Sequence, residues 1–202
     1  MNIKDRADII LYDLGLLNDL KNYGVPHIIG SYTMDIMSHN DLDIDVSKRK
    51  YEYRKVIWFS KYVIDKYHPS RYEAKQEKTY EGKTVWFHGF EAAINNELWN
   101  FDIWFLDNDA IKNAEDFCKS IKRQLDENPA KKNTIIQIKK ALIERNIYSF
   151  AQYTSMDVYD AVLKNGILTI DEFLARYPKW ALCENDKKYK TIFIGRVIIL
   201  CR

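Results

Sequence analysis

One short stretch constrains this 202-residue chain more than any other. Residues 41–46 alternate strictly between aspartate and an aliphatic residue, which predicts a β-strand, because successive side chains of a strand point to opposite faces. Asp41, Asp43 and Asp45 would share one face, and the aliphatic residues would enter a core. Three like charges on one face repel one another. A cation must offset this repulsion, and carboxylate oxygens favour Mg²⁺ or Mn²⁺.

A second strand, predicted over residues 97–106, alternates in the same way. Asn100 and Asp102 would share one face, with aromatic and aliphatic residues on the other. A lone aspartate among such neighbours is costly to bury without a partner. If this strand lies beside the first one, Asp102 would complete a three-carboxylate cluster with Asp41 and Asp43.

The rest of the chain divides into two parts. Strands are expected at 27–29, 41–46, 71–79, 84–94 and 97–106, with a tight hairpin turn at Asn95-Asn96 before the last of them. Helices are expected over about 4–21 and between Ser47, as its cap, and Pro69, the second with an apolar stripe that includes Ile57 and Ile64. From about 110 the pattern is helical: one helix capped by Asn108 or Asp109 and ending at Asn128, others over about 131–145 and 155–164, and a fourth after Thr169. Residues 192–201 are expected to form a buried terminal strand or helix. We therefore predict an α+β fold, with a mixed sheet and flanking helices over 1–109 and a mainly helical part over 110–202.

Composition excludes several classes of protein. Lys and Arg number 31 against 29 Asp and Glu, and a net charge of +2 disfavours binding to duplex nucleic acid. Cys118, Cys183 and Cys201 are odd in number and form no CxxC pair, which argues against a disulfide framework or a zinc site and fits a reducing compartment. The N-terminus has no long apolar run, and segment 192–201 is too short to span a bilayer. We expect a soluble cytoplasmic protein with no membrane partner.

A glycine-serine turn precedes the acidic strand at a fixed interval. Ile29-Gly30-Ser31 is followed after nine residues by Asp41-Leu42-Asp43-Ile44, with Asp102 as a third acid downstream. This pattern resembles the motif of the nucleotidyltransferase superfamily of the DNA polymerase β type, over about residues 25–106. The layout of an α/β part followed by a helical part is similar to small antibiotic-modifying members, such as the lincosamide nucleotidyltransferases.

The resemblance implies a function and a set of roles. The function would be Mg²⁺- or Mn²⁺-dependent transfer of a nucleoside monophosphate from an NTP, with ATP as the expected donor, to a hydroxyl or phosphate acceptor, with release of pyrophosphate. Asp41 and Asp43 would hold divalent ions, and Asp102 would help bind the catalytic ion and act as general base. Gly30 and Ser31 would contact the triphosphate. Because the net charge is balanced, the acceptor is expected to be a small molecule. It is expected to bind between the two parts, because clefts between domains are favoured ligand sites.

Several alternatives stay open. Asp43 and Asp45 also fit the Asp-x-Asp frame, although we favour Asp41 with Asp43. The acidic face could instead be a solvated surface whose charge is balanced by the lysines and arginine of 48–50. Asp102 could instead be a strand-end acid bonded to a backbone amide or to an arginine. A domain of this type could bind a nucleotide or a protein partner without chemistry. Carboxylate clusters also serve metal-dependent nucleases.

The remaining polar and aromatic residues carry weaker signals. The histidines show no metal spacing and are expected in surface or loop positions: His27, His39, His68 and His88. Aromatic strand residues are expected in the core rather than stacked on a base: Trp86, Phe87, Phe90, Trp99 and Trp104. The basic residues of 48–50 with Arg54 and Lys55 would either contact a phosphate or form a solvated helix start. Cys118 is expected to pack rather than react.

Overall fold

The computed structural model describes residues 1–47, 53–79, 81–178, 190–194 and 197–201. The chain forms two compact units, Met1–Lys119 and Ser120–Arg202. The first contains helices α1 (Ile3–Asp8), α2 (Leu16–Leu20), α3 (Gly30–Thr33) and α4 (Tyr53–Tyr67), and strands β1 (Val25–Ile29), β2 (Asp41–Ser47), β3 (Arg71–Lys78), β4 (Thr84–Ile94) and β5 (Glu97–Leu106). Helix α5 (Asn108–Glu127) runs from the first unit into the second. The second unit continues with α6 (Pro129–Glu144), α7 (Ser155–Tyr159), α8 (Ile170–Arg176), β6 (Lys190–Ile194) and β7 (Val197–Cys201).

The strands β1 to β5 form one sheet in the order β1-β2-β5-β4-β3. Strands β2 and β5 run parallel, and each of the other neighbouring pairs is antiparallel. A parallel pair needs a long crossover connection, which α4 and the β3–β4 hairpin provide here. The two strands that carry the predicted acids are therefore direct neighbours in the middle of the sheet.

One face of this sheet carries the hydrophobic core. Leu42 on β2 and Phe101 on β5 are fully buried there. Helix α4 packs Phe59 on the same face, with its ring centroid 5.4 Å from that of Phe105. Phe90 stacks on Phe101 with ring centroids 4.4 Å apart. Burial of side chains of this size contributes about 1.5–3 kcal/mol each, so this face supplies much of the stability of the unit.

The predicted α+β class is confirmed, and so are the five strands of the first unit. The connection between β4 and β5 is the tight turn expected at Asn95-Asn96. Both asparagines have positive φ, at 52° and 65°, which a two-residue turn of type I′ requires. Helix α4 ends where predicted, at Tyr67, two residues before Pro69.

The predicted helix over 4–21 is interrupted in the structure. A π-helical turn at Ile9–Asp13 follows α1, and Gly15, at φ +78°, begins α2. The spacing of the apolar residues holds on both sides of this break, and Ile10 and Leu16 are both buried. The periodicity therefore indicated the buried face correctly, but it did not show the left-handed residue that divides the helix.

One predicted helix cap is wrong. Helix α5 is capped by Asp107 rather than by Asn108 or Asp109, because Asp107 Oδ1 accepts the Ala110 N–H at 2.9 Å. Ser47, the cap predicted for the helix before Pro69, is the last residue of β2, and residues 48–52 after it lie outside the described residues.

The core-facing side of α4 also differs from the prediction. Phe59 and Val63 are fully buried, whereas Ile57 and Ile64, which were expected in the apolar stripe, are about half exposed. Phe59 contacts the sheet through aromatic neighbours, including His88 at a centroid distance of 4.9 Å. The large ring of Phe59 therefore sets which side of the helix faces the core.

The second unit is mainly helical and has its own buried cluster. Helix α6 buries Ile135, Ile138 and Leu142. Tyr153 and Phe173 pack edge to face with ring centroids 5.1 Å apart. The predicted helix over 155–164 is α7 followed by a π-helical turn at Asp160–Lys164. The C-terminal apolar segment is part of an antiparallel hairpin, β6 and β7.

Candidate active site

The face of the sheet opposite the core carries the acids. In the parallel pairing of β2 with β5, Asp43 lies beside Asp102 and Asp41 lies beside Asn100. Because side chains alternate along each strand, all four residues point to the same face. The structure thus brings Asp41, Asp43 and Asp102 to one small area of the sheet. The condition set by the sequence, that the two acidic strands be neighbours, is met.

Asn100 joins two of these carboxylates. Its Nδ2 donates a hydrogen bond to Asp41 Oδ1 at 2.7 Å and a longer one to Asp102 Oδ1 at 3.4 Å. The amide thereby offsets part of the repulsion between Asp41 and Asp102. The alternation of the strand places Asn100 on the acidic face but indicates no role for it. Its position two residues before Asp102 on a strand was the signal that could have identified it.

Asp102 is the electrostatic centre of the cluster. The pKa of Asp102 is raised to about 8, mainly by burial and also by the neighbouring charges of Asp41 and Asp43. The Asn100 amide and the more distant Arg71 lower it. Groups with strongly raised pKa values near neutrality are typical of functional sites, since such a carboxyl can take up and release a proton at the working pH.

The glycine-serine turn lies at the end of β1, beside the acidic strand. Ile29, the last residue of β1, pairs with Asp43. Gly30 has φ +80°, a conformation that favours glycine, and its N–H donates to Cys118 Sγ of α5 at 3.4 Å. Ser31 is buried, and its Oγ has no hydrogen-bond partner among the described residues. A buried hydroxyl without a protein partner is unusual, which makes Ser31 a candidate for contact with a ligand.

Asp41 and Asp45 differ in their surroundings. Asp41 is half buried at the start of β2, with its Oδ2 at 3.7 Å from His39 Nε2. Asp45 is only 1% exposed and pairs in register with His27 of β1 and with Trp104 of β5. His27 Nδ1 donates to Glu115 Oε1 of α5 at 2.8 Å and lowers the pKa of Glu115. The charges that raise the pKa of Asp102 are those of Asp41 and Asp43, which favours the first of the two possible Asp-x-Asp frames.

Comparisons with known proteins agree on the fold. No protein-family model and no curated protein sequence matches the chain. Among solved structures it is similar to a cytoplasmic RNA terminal U-transferase, with 16% identity and a TM-score of 0.53 over 81% of this chain and 48% of the other. It is also similar to a non-canonical poly(A) polymerase in a GLD-2–GLD-3 complex, with 12% identity and a TM-score of 0.52 over 98% of this chain and 64% of the other.

These structures belong to the superfamily that the glycine-serine and aspartate pattern resembles. The chain has the fold of the DNA polymerase β-type nucleotidyltransferases. It spans about half to two thirds of the length of the solved structures that it matches. Within this nucleotidyltransferase fold, the strand pair β2–β5 and the turn after β1 are the parts that carry the candidate site.

The donor set of the candidate site is made of hard oxygen ligands. In the described part of the chain, no three His, Cys, Asp or Glu side chains lie close enough together to hold a metal ion as they stand. The Asn100 amide lies between two of the acids and donates to Asp41 Oδ1 at 2.7 Å and to Asp102 Oδ1 at 3.4 Å. The chemistry nevertheless fits Mg²⁺ or Mn²⁺, because the site has only carboxylate and hydroxyl oxygens and an excess of negative charge.

Gly89 leaves space beside Asp102, and no pattern in the sequence pointed to it. It pairs with Asp102 across β4 and β5, and the ring of Phe87 lies over it. A Cβ atom at Gly89 would come within 2.7 Å of that ring and 3.7 Å of Asp102 Oδ1. The Phe87 ring in turn packs on buried Trp104, with centroids 4.6 Å apart. Glycine in a strand interior often marks such a close approach.

The other candidate residues have structural roles or positions away from the acids. His88 is fully buried on the core face, so the expectation of a surface or loop position is wrong for it. Phe90, Trp99 and Trp104 are buried, as predicted for core aromatics. Cys118 is buried and accepts the Gly30 N–H, which fits packing rather than reactivity. Residues 48–50 lie outside the described residues.

Among the described residues, no helix is both long enough and apolar enough to cross a bilayer.

Proposed function

We propose that this protein is a metal-dependent nucleotidyltransferase, which moves a nucleoside monophosphate from an NTP, with ATP as the expected donor, to an acceptor and releases pyrophosphate. The observation that carries the proposal is Asp102, which lies beside Asp43 and within the field of Asp41 on a nucleotidyltransferase fold. The Gly30-Ser31 turn adjoins the same acids at the end of β1. Gly30 and Ser31 would contact the triphosphate, and Asp41, Asp43 and Asp102 would hold Mg²⁺ or Mn²⁺.

Asp102 would act as the general base when the acceptor is a hydroxyl. Its carboxylate takes the proton from the acceptor hydroxyl, whose oxygen forms a bond to the α-phosphorus of the NTP. The bond from that phosphorus to the pyrophosphate oxygen breaks, and pyrophosphate leaves with the electron pair. Without a bound cation the pKa of Asp102 is raised to about 8, and the dications that this carboxylate would help to hold would lower the pKa and keep the group ionised to accept the proton.

The bound ions would supply positive charge for the entering and leaving oxygens. The chain's own contribution would be to position these groups. Asn100 holds Asp41 at 2.7 Å and keeps its carboxylate oriented next to Asp102. The backbone of the parallel strands fixes the distance between β2 and β5, so the acids are preorganised on a rigid part of the fold.

The acceptor defines two versions of the proposal. Balanced charge favours a small molecule, since 31 basic residues face 29 acidic ones and a nucleic-acid site needs a basic surface. The similarity to an RNA terminal U-transferase favours the end of a single-stranded RNA instead. We favour the small molecule, because a net charge of only +2 gives little attraction for an RNA backbone.

Purified protein with Mg²⁺ and each of the four NTPs, offered a library of hydroxyl-bearing acceptors and a short single-stranded RNA, tests the proposal through pyrophosphate release. We expect the Asp102→Asn variant to lose at least about a hundredfold in rate, because it removes the base. Asp13→Asn, an exposed aspartate outside the site, is the matched control and should keep the wild-type rate.

Two other results would each reject transfer, and a third would reject only the role of Asp102 as base. Binding of Mg²⁺-ATP without any release of pyrophosphate would indicate a nucleotide-binding module without chemistry. Cleavage of the RNA in the absence of NTP would indicate a nuclease. An Asp102→Asn variant with near-normal turnover would show that Asp102 is not the base. A thermal shift with Mg²⁺-ATP measures binding separately from turnover; a ligand at 100 times its Kd stabilises by about 2.7 kcal/mol.

A further inference from the structure

A surface groove of about 570 Å³ lies where α2 meets the start of β1. Three parts of the chain form it: the π-helical turn at Ile9–Asp13, helix α2 with the residue that follows it, and the first two residues of β1. A volume of this size lies within the range of small-molecule sites. The groove is therefore large enough to hold a ligand of its own.

The groove is separate from the candidate active site. Val25 lines the groove at the first position of β1, whereas Gly30 follows the last position of the same strand. A strand rises about 3.3 Å per residue, so about 16 Å separate these two residues. In the pairing of β1 with β2, Val25 lies opposite Ser47, and Ile29 lies opposite Asp43. A molecule in the groove would thus lie at the end of the strand pair that is remote from Asp43.

The walls of the groove are mainly apolar and partly open to solvent. Tyr12 is 57% exposed and Val25 is 60% exposed, whereas Leu11 is fully buried. Leu17 and Pro26 are partly buried and complete the apolar lining. Single exposed apolar side chains are common, but several around one groove mark a binding surface. These walls fit the hydrocarbon body of a ligand.

The backbone beside the groove is irregular. Leu11 and Tyr12 belong to the π-helical turn, and the chain then passes through Gly15 at φ +78° before α2 begins. Turns of the π type are rare and are found frequently at functional sites. The part of this helical segment that departs from regular geometry is therefore the part that lines the groove.

The polar lining of the groove carries one positive charge. Lys21 is the only charged side chain among the described residues that line it, and no carboxylate of the described chain pairs with this lysine. Asn18 adds a neutral amide. The neighbouring Asp19 bonds instead to Lys66 and, at 2.6 Å, to the hydroxyl of Tyr62. Charge complementarity therefore favours an anionic group next to the apolar walls.

We propose that this groove is a second ligand site, independent of nucleotidyl transfer, and that it takes a small aliphatic carboxylate of the fatty-acid class. Lys21 and Asn18 would contact the carboxylate, and the apolar walls would cover the chain. One lysine matches the single charge of a carboxylate, whereas a phosphate monoester carries nearly two charges. Because Lys21 is exposed, its ion pair would contribute little, and apolar contact would supply most of the affinity.

An NMR titration of methyl-labelled protein with octanoate tests the proposal. The comparison ligands are 1-octanol and octyltrimethylammonium, which have the same chain with a neutral and a cationic head group. We expect saturable shifts centred on Leu11, Leu17 and Val25, with one octanoate bound per chain. The Kd of octanol should be about three- to fivefold higher than that of octanoate, and the Kd of the cation higher still.

Three variants assign the polar contacts. Lys21→Gln should raise the Kd of octanoate about three- to fivefold and leave that of octanol unchanged, because only the ion pair is lost. Asn18→Glu places a carboxylate in the groove and should raise the Kd of octanoate at least about tenfold. Asn22→Glu is the matched control, since Asn22 is exposed and does not line the groove, and it should stay within about twofold of the wild type. The methyl spectra without ligand verify that each variant is folded.

Several outcomes would overturn the proposal. Equal Kd values for octanoate and octanol, or tighter binding of the cation, would reject a carboxylate ligand. Shifts that do not saturate would indicate partition onto apolar surface instead of a site. Tighter binding of a short acetylated and amidated peptide of leucine and valine would indicate a protein partner. An unchanged Kd in Lys21→Gln or in Asn18→Glu would reject the assigned contacts. None of these measurements uses NTP turnover, so failure of the proposed function would leave the test intact.

Discussion

The two faces of strands β2 and β5 are made from alternating residues of the same short segments, yet they have opposite effects on the stability of the fold. On one face Leu42 and Phe101 are fully buried against apolar neighbours. On the other, one residue away along each strand, Asp43 and Asp102 lie side by side and repel each other. The core face stabilises the unit, and the acidic face costs stability. Such a cost is retained where a ligand offsets it.

The core face predicts the largest mutational effect. Phe101→Ala should destabilise the protein by about 4 kcal/mol, because it removes a fully buried ring that stacks on Phe90 and leaves a cavity. Urea unfolding measures the change. Leu98→Ala, on the same strand but 55% exposed on the acidic face, should stay within about 0.5 kcal/mol of the wild type. Equal losses of unfolding free energy in the two variants would show that the two faces do not differ in their contribution to stability.

His88 gives the core face a dependence on pH. Burial lowers the pKa of His88 to about 4, from 6.5 in an unfolded chain. The folded state therefore binds fewer protons between these values, so stability present above pH 6.5 is lost as the pH falls toward 4, by about 3 kcal/mol in all. Urea unfolding at about pH 7 and at about pH 4 measures this loss.

His88→Gln is the control for this prediction, because it removes the titrating ring and keeps a polar group near the Tyr72 hydroxyl, which lies 2.7 Å from His88 Nδ1. The variant should lose clearly less stability than the wild type across the same window. An equal loss in both proteins would assign the acid sensitivity to other groups. Subtracting the two profiles isolates the contribution of His88 from that of the carboxylates.

On the acidic face we expect a smaller change in stability, and one that raises stability when a charge is removed. The pKa of Asp102, raised to about 8 from 3.8, means that the folded state binds the proton more tightly, so stability falls as the pH rises through this window. Asp102→Asn removes that cost and should stabilise the metal-free protein at about pH 7 by about 2 kcal/mol, with allowance for solvent screening of the partly exposed neighbours. Asp13→Asn should change stability by no more than about 0.5 kcal/mol.

Addition of Mg²⁺ tests whether a cation offsets the cost of the acidic face. If dications offset the repulsion among the acids, Mg²⁺ should raise the unfolding temperature of the wild type. The difference in unfolding temperature between the wild type and Asp102→Asn should then become smaller. Differential scanning fluorimetry with and without Mg²⁺ measures both variants in one experiment. A wild type that is already more stable than Asp102→Asn without metal would contradict the assignment of a destabilising cluster.

Local patterns predicted much of the fold and the members of the candidate site. The alternation of 41–46 and 97–106 predicted both strands and their acidic faces, and the Asn95-Asn96 turn followed from backbone preferences of two adjacent residues. Helix details were less predictable. Gly15 divides a helix that the apolar spacing made continuous, and the exposure of Ile57 depends on how Phe59 meets the sheet.

The sequence by itself determined which side chains share a face, because the geometry of a strand repeats every two residues whatever surrounds it. It also determined the interval between the Gly30-Ser31 turn and the acids. Only the tertiary structure decided the pKa of Asp102, the bond from Asn100 to Asp41, the room that Gly89 leaves under Phe87 and the burial of His88. These properties depend on groups brought together across strands, where distance and desolvation, rather than position along the chain, set the energy.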